Sequence, residues 1–263
     1  METKTGMYKK ERKMLDFGFY NMDCMEGMKE FPDKYFDLAI VDPPYGINAD
    51  KFSNGSGFQG RGDSTAKRIR KATLGQGAGK LKNIALQKYD TSWDAKPPGK
   101  EYFEELFRVS KNQIIWGGNY FDLPPTRGII AWDKEQVWEN FSQFELAWTS
   151  FNMPAKIFRY RNHGSASGGK IHPTQKPITL YEWLLSVYAK KGYKILDTHV
   201  GSASSLIACR NYGYKYVGFE KDQNYFDSAE KRLEEHSSQM NLYDYIDNEG
   251  KKYTQEEMLS YTE

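Results

Sequence analysis

The 263-residue chain is poor in cysteine, in long apolar runs and in net charge. Its two cysteines, Cys24 and Cys209, stand far apart and outside any metal-ligand spacing. That argues against a disulfide scaffold or a zinc site, so no metal is expected, and it points to a reducing, cytoplasmic setting. No stretch is long and apolar enough to span a bilayer. The opening METKTGMYKKERKM lacks the apolar core and cleavage site of a secretory signal. The net charge of +2 neither demands nor excludes nucleic acid, because local distribution matters more than the total. There is no internal repeat and no long low-complexity tract. What is present, 39% hydrophobic and 15% aromatic residues, suits one globular domain over 1–263 with insertions.

Periodicity sketches an α/β protein. YFDLAIV at 35–41 reads as a buried strand and ends at DPPYG, where prolines stop a regular ladder. From about 46 to 92 the chain is rich in Gly, Ser, Lys and Arg and reads as a long loop or insertion. A helix follows over 101–109, then short strands at 112–116, 128–132 and 144–148. Residues 151–171 are again polar and basic. The clearest helix starts after Pro177, with Leu180, Trp183, Leu184, Val187 and Tyr188 at helical spacing. KILD at 194–197, a glycine turn, a helix, the strand YKYVGFE and a helix over about 222–236 complete a β–turn–α–β–α series. Such a series specifies a Rossmann-like open, mostly parallel twisted sheet with helices on both faces.

Two places carry chemistry. In the first, a strand ends at Asp197 and Gly201 lies in the turn between it and a helix, whose free N–H groups point into the crevice beyond the strand ends. The next strand ends at Glu220, close to the spacing at which dinucleotide folds place an acid on the ribose hydroxyls. A nucleoside cofactor fits; a purely structural strand–turn–helix fits as well. The turn lacks the three-glycine dinucleotide pattern and the P-loop pattern.

The second is Asp42–Tyr45, DPPY, at the carboxyl end of an apolar strand. An exocyclic amino group on a base is a poor nucleophile because its lone pair is delocalised into the ring. The Asp42 carboxylate and the Pro43 carbonyl can accept its two hydrogens, localise the pair and stabilise the charge that grows on nitrogen. Pro43 and Pro44 stiffen the backbone, and Tyr45 offers a face for an extruded base. A proline-stiffened loop that happens to begin with an acid is the plain alternative.

With these residues the chain resembles the bacterial and phage amino-methyltransferases of DNA, of the permuted beta class and the adenine-specific DPPY type. There the DPPY segment precedes the cofactor turn. The resemblance spans about Tyr20 to His236 and rests on NMDCMEGMKEFPDKYFDLAIVDPPY, HPTQKP at 172–177, DTHVGSASS at 197–205 and GFEKD. It implies a class I S-adenosylmethionine-dependent methyltransferase fold with S-adenosylmethionine as cofactor. Asp23 and Cys24 would meet the cofactor adenine. His172, Thr174 and Lys176 would cap its methionine end, Asp42, Asp197, Gly201, Ser202 and Ser204 would surround it, and Glu220 would hold the ribose. Thr198, His199 and Ala203 depart from the family's turn, which has proline, phenylalanine and a second glycine. Alanine is strained where that turn needs positive φ. His199 either contacts the cofactor or replaces an aromatic packing residue.

The implied partner is double-stranded DNA with a flipped target base, and a homodimer is left open. Eight Lys or Arg against one acid lie between Arg61 and Lys88, with Arg61, Lys67, Arg68, Arg70 and Lys71 as phosphate candidates. A solvated loop is the alternative. Lys156, Arg159 and Arg161 form a second candidate cluster in a short target-recognition segment at 151–171. Trp116, Trp132 and Trp148 read as core or crevice walls. Transfer to the cytosine amino group uses the same chemistry, although those enzymes more often carry Ser at the Asp42 position. A non-catalytic nucleic-acid-binding relative is the reading from another class.

Overall fold

The fold is organised by one eight-stranded sheet. Its strands are β1 (Gly18–Asn21), β2 (Phe36–Val41), β3 (Ser110–Trp116), β4 (Ile129–Asp133), β5 (Phe144–Thr149), β6 (Lys156–Arg159), β7 (Lys194–Asp197) and β8 (Lys215–Glu220). Their spatial order is β1-β8-β7-β2-β3-β5-β4-β6. Neighbours run parallel except on the two sides of β5, which is antiparallel to β3 and β4. Every strand but β5 therefore ends at one edge, and β5 begins there. The computed structural model describes residues 14–47, 96–136, 142–161, 171–172, 174–242, 245–246 and 252–253.

The central strand β2 is apolar along most of its length because both its faces are covered. In β2 every residue but Asp37 is buried. On β8, Val217 and Phe219 join a core with Met28, Phe31, Tyr102, Phe103, Leu106 and Val109. Those residues come from the helices α1 (Cys24–Met28) and α2 (Lys100–Val109) and the turn after α1. Tyr216, on the alternate side of β8, packs with Val200, Leu206, Ile207, Ala229 and Leu233. The helices there are α4 (Ser204–Asn211) and α5 (Gln223–Leu242). Helices thus cover both faces, as the sequence pattern specifies. The helix α3 (Ile178–Tyr188) packs against α4.

Most elements match their sequence assignment to within two residues. β1, α1 and β6 are among those not assigned. β1 is four residues at the sheet margin, partly exposed along its length, so it has no clean period. α1 is little more than one turn, fixed by its cap: the Asp23 carboxylate accepts from the Met25 N–H at 2.9 Å. β6 lies inside the segment read as polar and basic; it pairs parallel with β4. The tail adds a two-stranded ribbon, β9 (Tyr245–Ile246) with β10 (Lys252–Tyr253).

The chain divides into two compact units, residues 1–43 with 98–263, and residues 44–97. The sequence places an insertion at about 46–92 of a single domain; the second unit begins just before it and ends just after. Within that unit Gly46 has φ of 72°, and a Cβ there would lie 2.9 Å from the Pro97 nitrogen, so only glycine fits. Among the described residues no helix is long and apolar enough to cross a membrane.

Candidate active site

Connections from β7 run outward through β8, and those from β2 run outward through β3. The sheet therefore switches direction between β7 and β2, where open α/β sheets bind ligands beyond the strand ends. Asp42 follows β2 and Asp197 ends β7, side by side, and Glu220 ends β8. Asp197 is 2% exposed. Burial raises its carboxyl to about 7, against the hydrogen bonds from Ser205 Oγ and the His199 N–H, and the charges of Asp42 and Glu220 push the same way as burial. Glu220 is also raised, chiefly by burial; its two oxygens accept from Gly201 N–H and Asp222 N–H, each at 2.9 Å.

Lys176 arrives from the segment before α3. Its side chain is 2% exposed and its Nζ lies 2.5 Å from Asp42 Oδ2 and 3.2 Å from Glu145 Oε2. Burial alone would lower the ammonium pKa; the two carboxylates outweigh it and hold it raised. Glu145 meets a second cation, Lys134, at 2.5 Å. Burial opposes its charge, but Lys176 and Lys134 hold its carboxyl at about 2. Lys176 Nζ stands 5.2 Å from the Trp116 ring and Lys134 Nζ 5.2 Å from the Trp132 ring. Both indoles are buried, as expected of core or crevice walls. The Lys176 ammonium, for which the resemblance implies a place at the methionine end of the cofactor, contacts Asp42 and Glu145. Glu145 and Lys134 were missed. The only signal for Glu145 is one acid inside the apolar run FELAW.

The turn between β7 and α4 carries the strain its sequence implies: Ala203 has φ of 61° and ψ of 17°, left-handed, directly before α4. A clamp from α5, also missed, holds it there. Arg232 donates to the Ser202 carbonyl and to Ser204 Oγ, the latter at 3.0 Å. Ser202 and Ser204 are buried with their hydroxyls 3.2 Å apart. The buried His172 ring stacks edge-on to Tyr225 and accepts from Thr174, Nδ1 to Oγ1 3.1 Å. Burial lowers its pKa to about 4. His199, likewise lowered to about 4 by burial, continues a hydrogen-bonded chain from Tyr102: Tyr102 Oη to Thr198 Oγ1 is 2.6 Å and Thr198 Oγ1 to His199 Nδ1 is 2.9 Å. It also packs edge-on against the Tyr102 ring at 5.4 Å.

At the end of β1, Asp23 caps α1 and pairs with Lys221 at 2.8 Å. Burial raises its carboxyl, but the Lys221 and Met25 hydrogen bonds leave it lowered. The Cys24 thiol is pushed up to about 12 by burial, so it is a neutral group. Pro43 is buried, and Pro44 and Tyr45 are half-buried. Arg159 and Arg161 are exposed and face acids, Asp133 at 3.5 Å and Glu135 at 4.0 Å; Lys156 is half-buried at the start of β6. Arg61, Lys67, Arg68, Arg70 and Lys71 lie outside the described residues.

Residues 131–231, from β4 into α5, match the family model described as DNA methylase. The chain is similar to DNA methyltransferases. It is 24% identical over 263 aligned residues to the type II methyltransferase M2.DpnII of Streptococcus pneumoniae, covering 88% of this chain and 93% of that one. It is 24% identical over 259 residues to the type II methyltransferase M2.LlaDCHI of Lactococcus lactis subsp. cremoris, covering 86% and 91%. The solved PvuII DNA methyltransferase, cytosine-N4-specific, matches with a TM-score of 0.51 at 12% identity, over 86% of this chain and 92% of that one. The fold is that of the class I methyltransferases. The matched family span contains Glu145, Lys176, Asp197, Gly201 and Glu220; Asp42 precedes it.

Proposed function

We propose that this DNA methyltransferase homologue, of the permuted beta class, methylates the exocyclic amino group of adenine in double-stranded DNA, on a base turned out of the helix. The observation that carries the reading is the Asp42 carboxylate. It stands at the switch point beside β7, with one oxygen held by Lys176, and a carboxylate in that place is able to accept from an amino group. Accepting that hydrogen, together with the Pro43 carbonyl, localises the nitrogen pair and stabilises the positive charge that develops on it. Asp42 acts as an acceptor in this scheme, and the lost proton passes to solvent. No thiol is needed: Cys24 is neutral, and attack is direct.

The donor is S-adenosylmethionine, which supplies an electrophilic methyl: the nitrogen pair forms the N–C bond as the C–S pair returns to sulfur. The residues fit such a molecule. Glu220 has carboxylate lone pairs beyond its two backbone contacts for a ribose diol. Asp42, Asp197 and Glu220 together make an acidic crevice suited to a sulfonium and an ammonium. Asp197, about half-protonated at pH 7, is driven to its charged form when a cation arrives.

Tritiated methyl transfer from S-adenosylmethionine to unmethylated duplex DNA, followed by nucleoside digestion, tests the reading. Label in N6-methyladenosine supports it, and label in N4-methylcytosine replaces adenine by cytosine. No label and no cofactor binding by calorimetry would leave a non-catalytic relative.

A further inference from the structure

Four charges alternate in sign along the edge where β4 and β6 end and β5 begins: Asp42, Lys176, Glu145, Lys134, with successive separations of 2.5, 3.2 and 2.5 Å. Beneath the two ammonium groups lie the Trp116 and Trp132 rings, 6.4 Å apart and nearly perpendicular. An indole wall excludes water, so each charge is felt by its neighbours far more strongly than at a surface. A lysine buried in this way with Asp42 as its sole anion would place its whole charge on the carboxylate that must accept the target amino group. Glu145 divides that charge, and Lys134 in turn steadies Glu145.

We propose that Glu145 is a positioning residue for methyl transfer: through a second contact to the Lys176 ammonium it fixes that group against Asp42 and keeps the Asp42 carboxylate a strong acceptor. The inference rests on the reading of Asp42 as the acceptor of the target amino group. It follows from the topology: β5 is the one strand that begins at the catalytic edge, so its second residue, opposite Trp132, stands where the parallel strands end.

The test is Glu145→Gln in the full chain, which keeps shape and an acceptor oxygen but removes the charge. Turnover should fall roughly 10- to 100-fold, while KM for duplex DNA and the cofactor dissociation constant stay within about threefold. In a Lys176→Gln background the same change should cost less than about twofold more, because the two residues act as one unit. Glu145→Asp should recover part of the rate. Should Glu145→Gln not fold, Lys134→Gln reads the same ladder from its outer end, with a smaller fall in kcat and the same unchanged KM. Normal turnover in Glu145→Gln, a loss carried by KM or cofactor affinity, or multiplicative losses in the double variant would each overturn the proposal while leaving the function intact. Absence of transfer by the unaltered protein would remove the function and the proposal together.

Discussion

Lys176 and Asp42 show how one buried ion pair can serve two purposes. The pair stabilises the site only because each charge has its partner, so removal of one member is far costlier than the pair is worth. Lys176→Met should remove the cation between Asp42 and Glu145, leaving Glu145 to Lys134 alone, and lower stability by about 3 kcal/mol, read by urea denaturation at pH 7.5. Asp42→Ala should act differently. Turnover should fall by about three orders of magnitude or more, whereas calorimetric affinity for S-adenosylmethionine should change little. An equal loss of both would place Asp42 in the cofactor pocket instead. The position of Asp42 at the end of a buried strand is legible from DPPY after an apolar run. The partnership with Lys176 is not, because the two are 134 positions apart and no periodicity links them.

At the scale of elements, the turn between β7 and α4 stores strain. Ala203 sits at φ of 61°, a region that costs an L-residue about 1–2 kcal/mol. The Arg232 clamp and the buried serines hold the residue there. Ala203→Gly should therefore raise stability by about 1 kcal/mol, seen as a higher melting temperature, despite the usual entropic penalty of glycine. No gain would mean that packing of the Ala203 methyl, which is fully buried, outweighs the strain. The departure from glycine was visible in the sequence; Arg232, 30 positions beyond Ser202, was not. β6 escaped notice for a related reason. KIFR alternates, but at four residues within a basic stretch the signal is too short to separate a strand from a loop.

At the scale of the whole molecule, burying ionisable groups around one crevice makes stability depend on pH in opposed directions. His172 and His199, held near 4 by burial, stay neutral in the folded chain, whereas the unfolded chain takes up protons below about 6.5. Their contribution is complete above that pH and is lost as pH falls toward 4. Asp197, raised to about 7 by burial, keeps a proton that the unfolded chain releases above about 4, so its effect is to reduce stability as pH rises from 4 to 7. His199→Phe should flatten the acid loss by about 1.4 kcal/mol per pH unit between 4.5 and 6, and Asp197→Asn should remove the opposing slope of similar size. Melting temperatures measured from pH 4.5 to 7.5 check both; parallel profiles for all three proteins would show that these groups titrate normally in the folded state. The sequence by itself determined the α/β alternation, the two faces of helices and the ends of the strands that carry Asp42, Asp197 and Glu220, because burial period and strand-terminal acids are local properties of the chain. Only the tertiary structure decided that β5 runs against its neighbours, that Glu145 thereby reaches the sheet edge beside Asp42, and that Lys176 binds two carboxylates there. Strand direction and ion pairing are settled by which elements come to lie side by side, and that is a property of the assembled sheet.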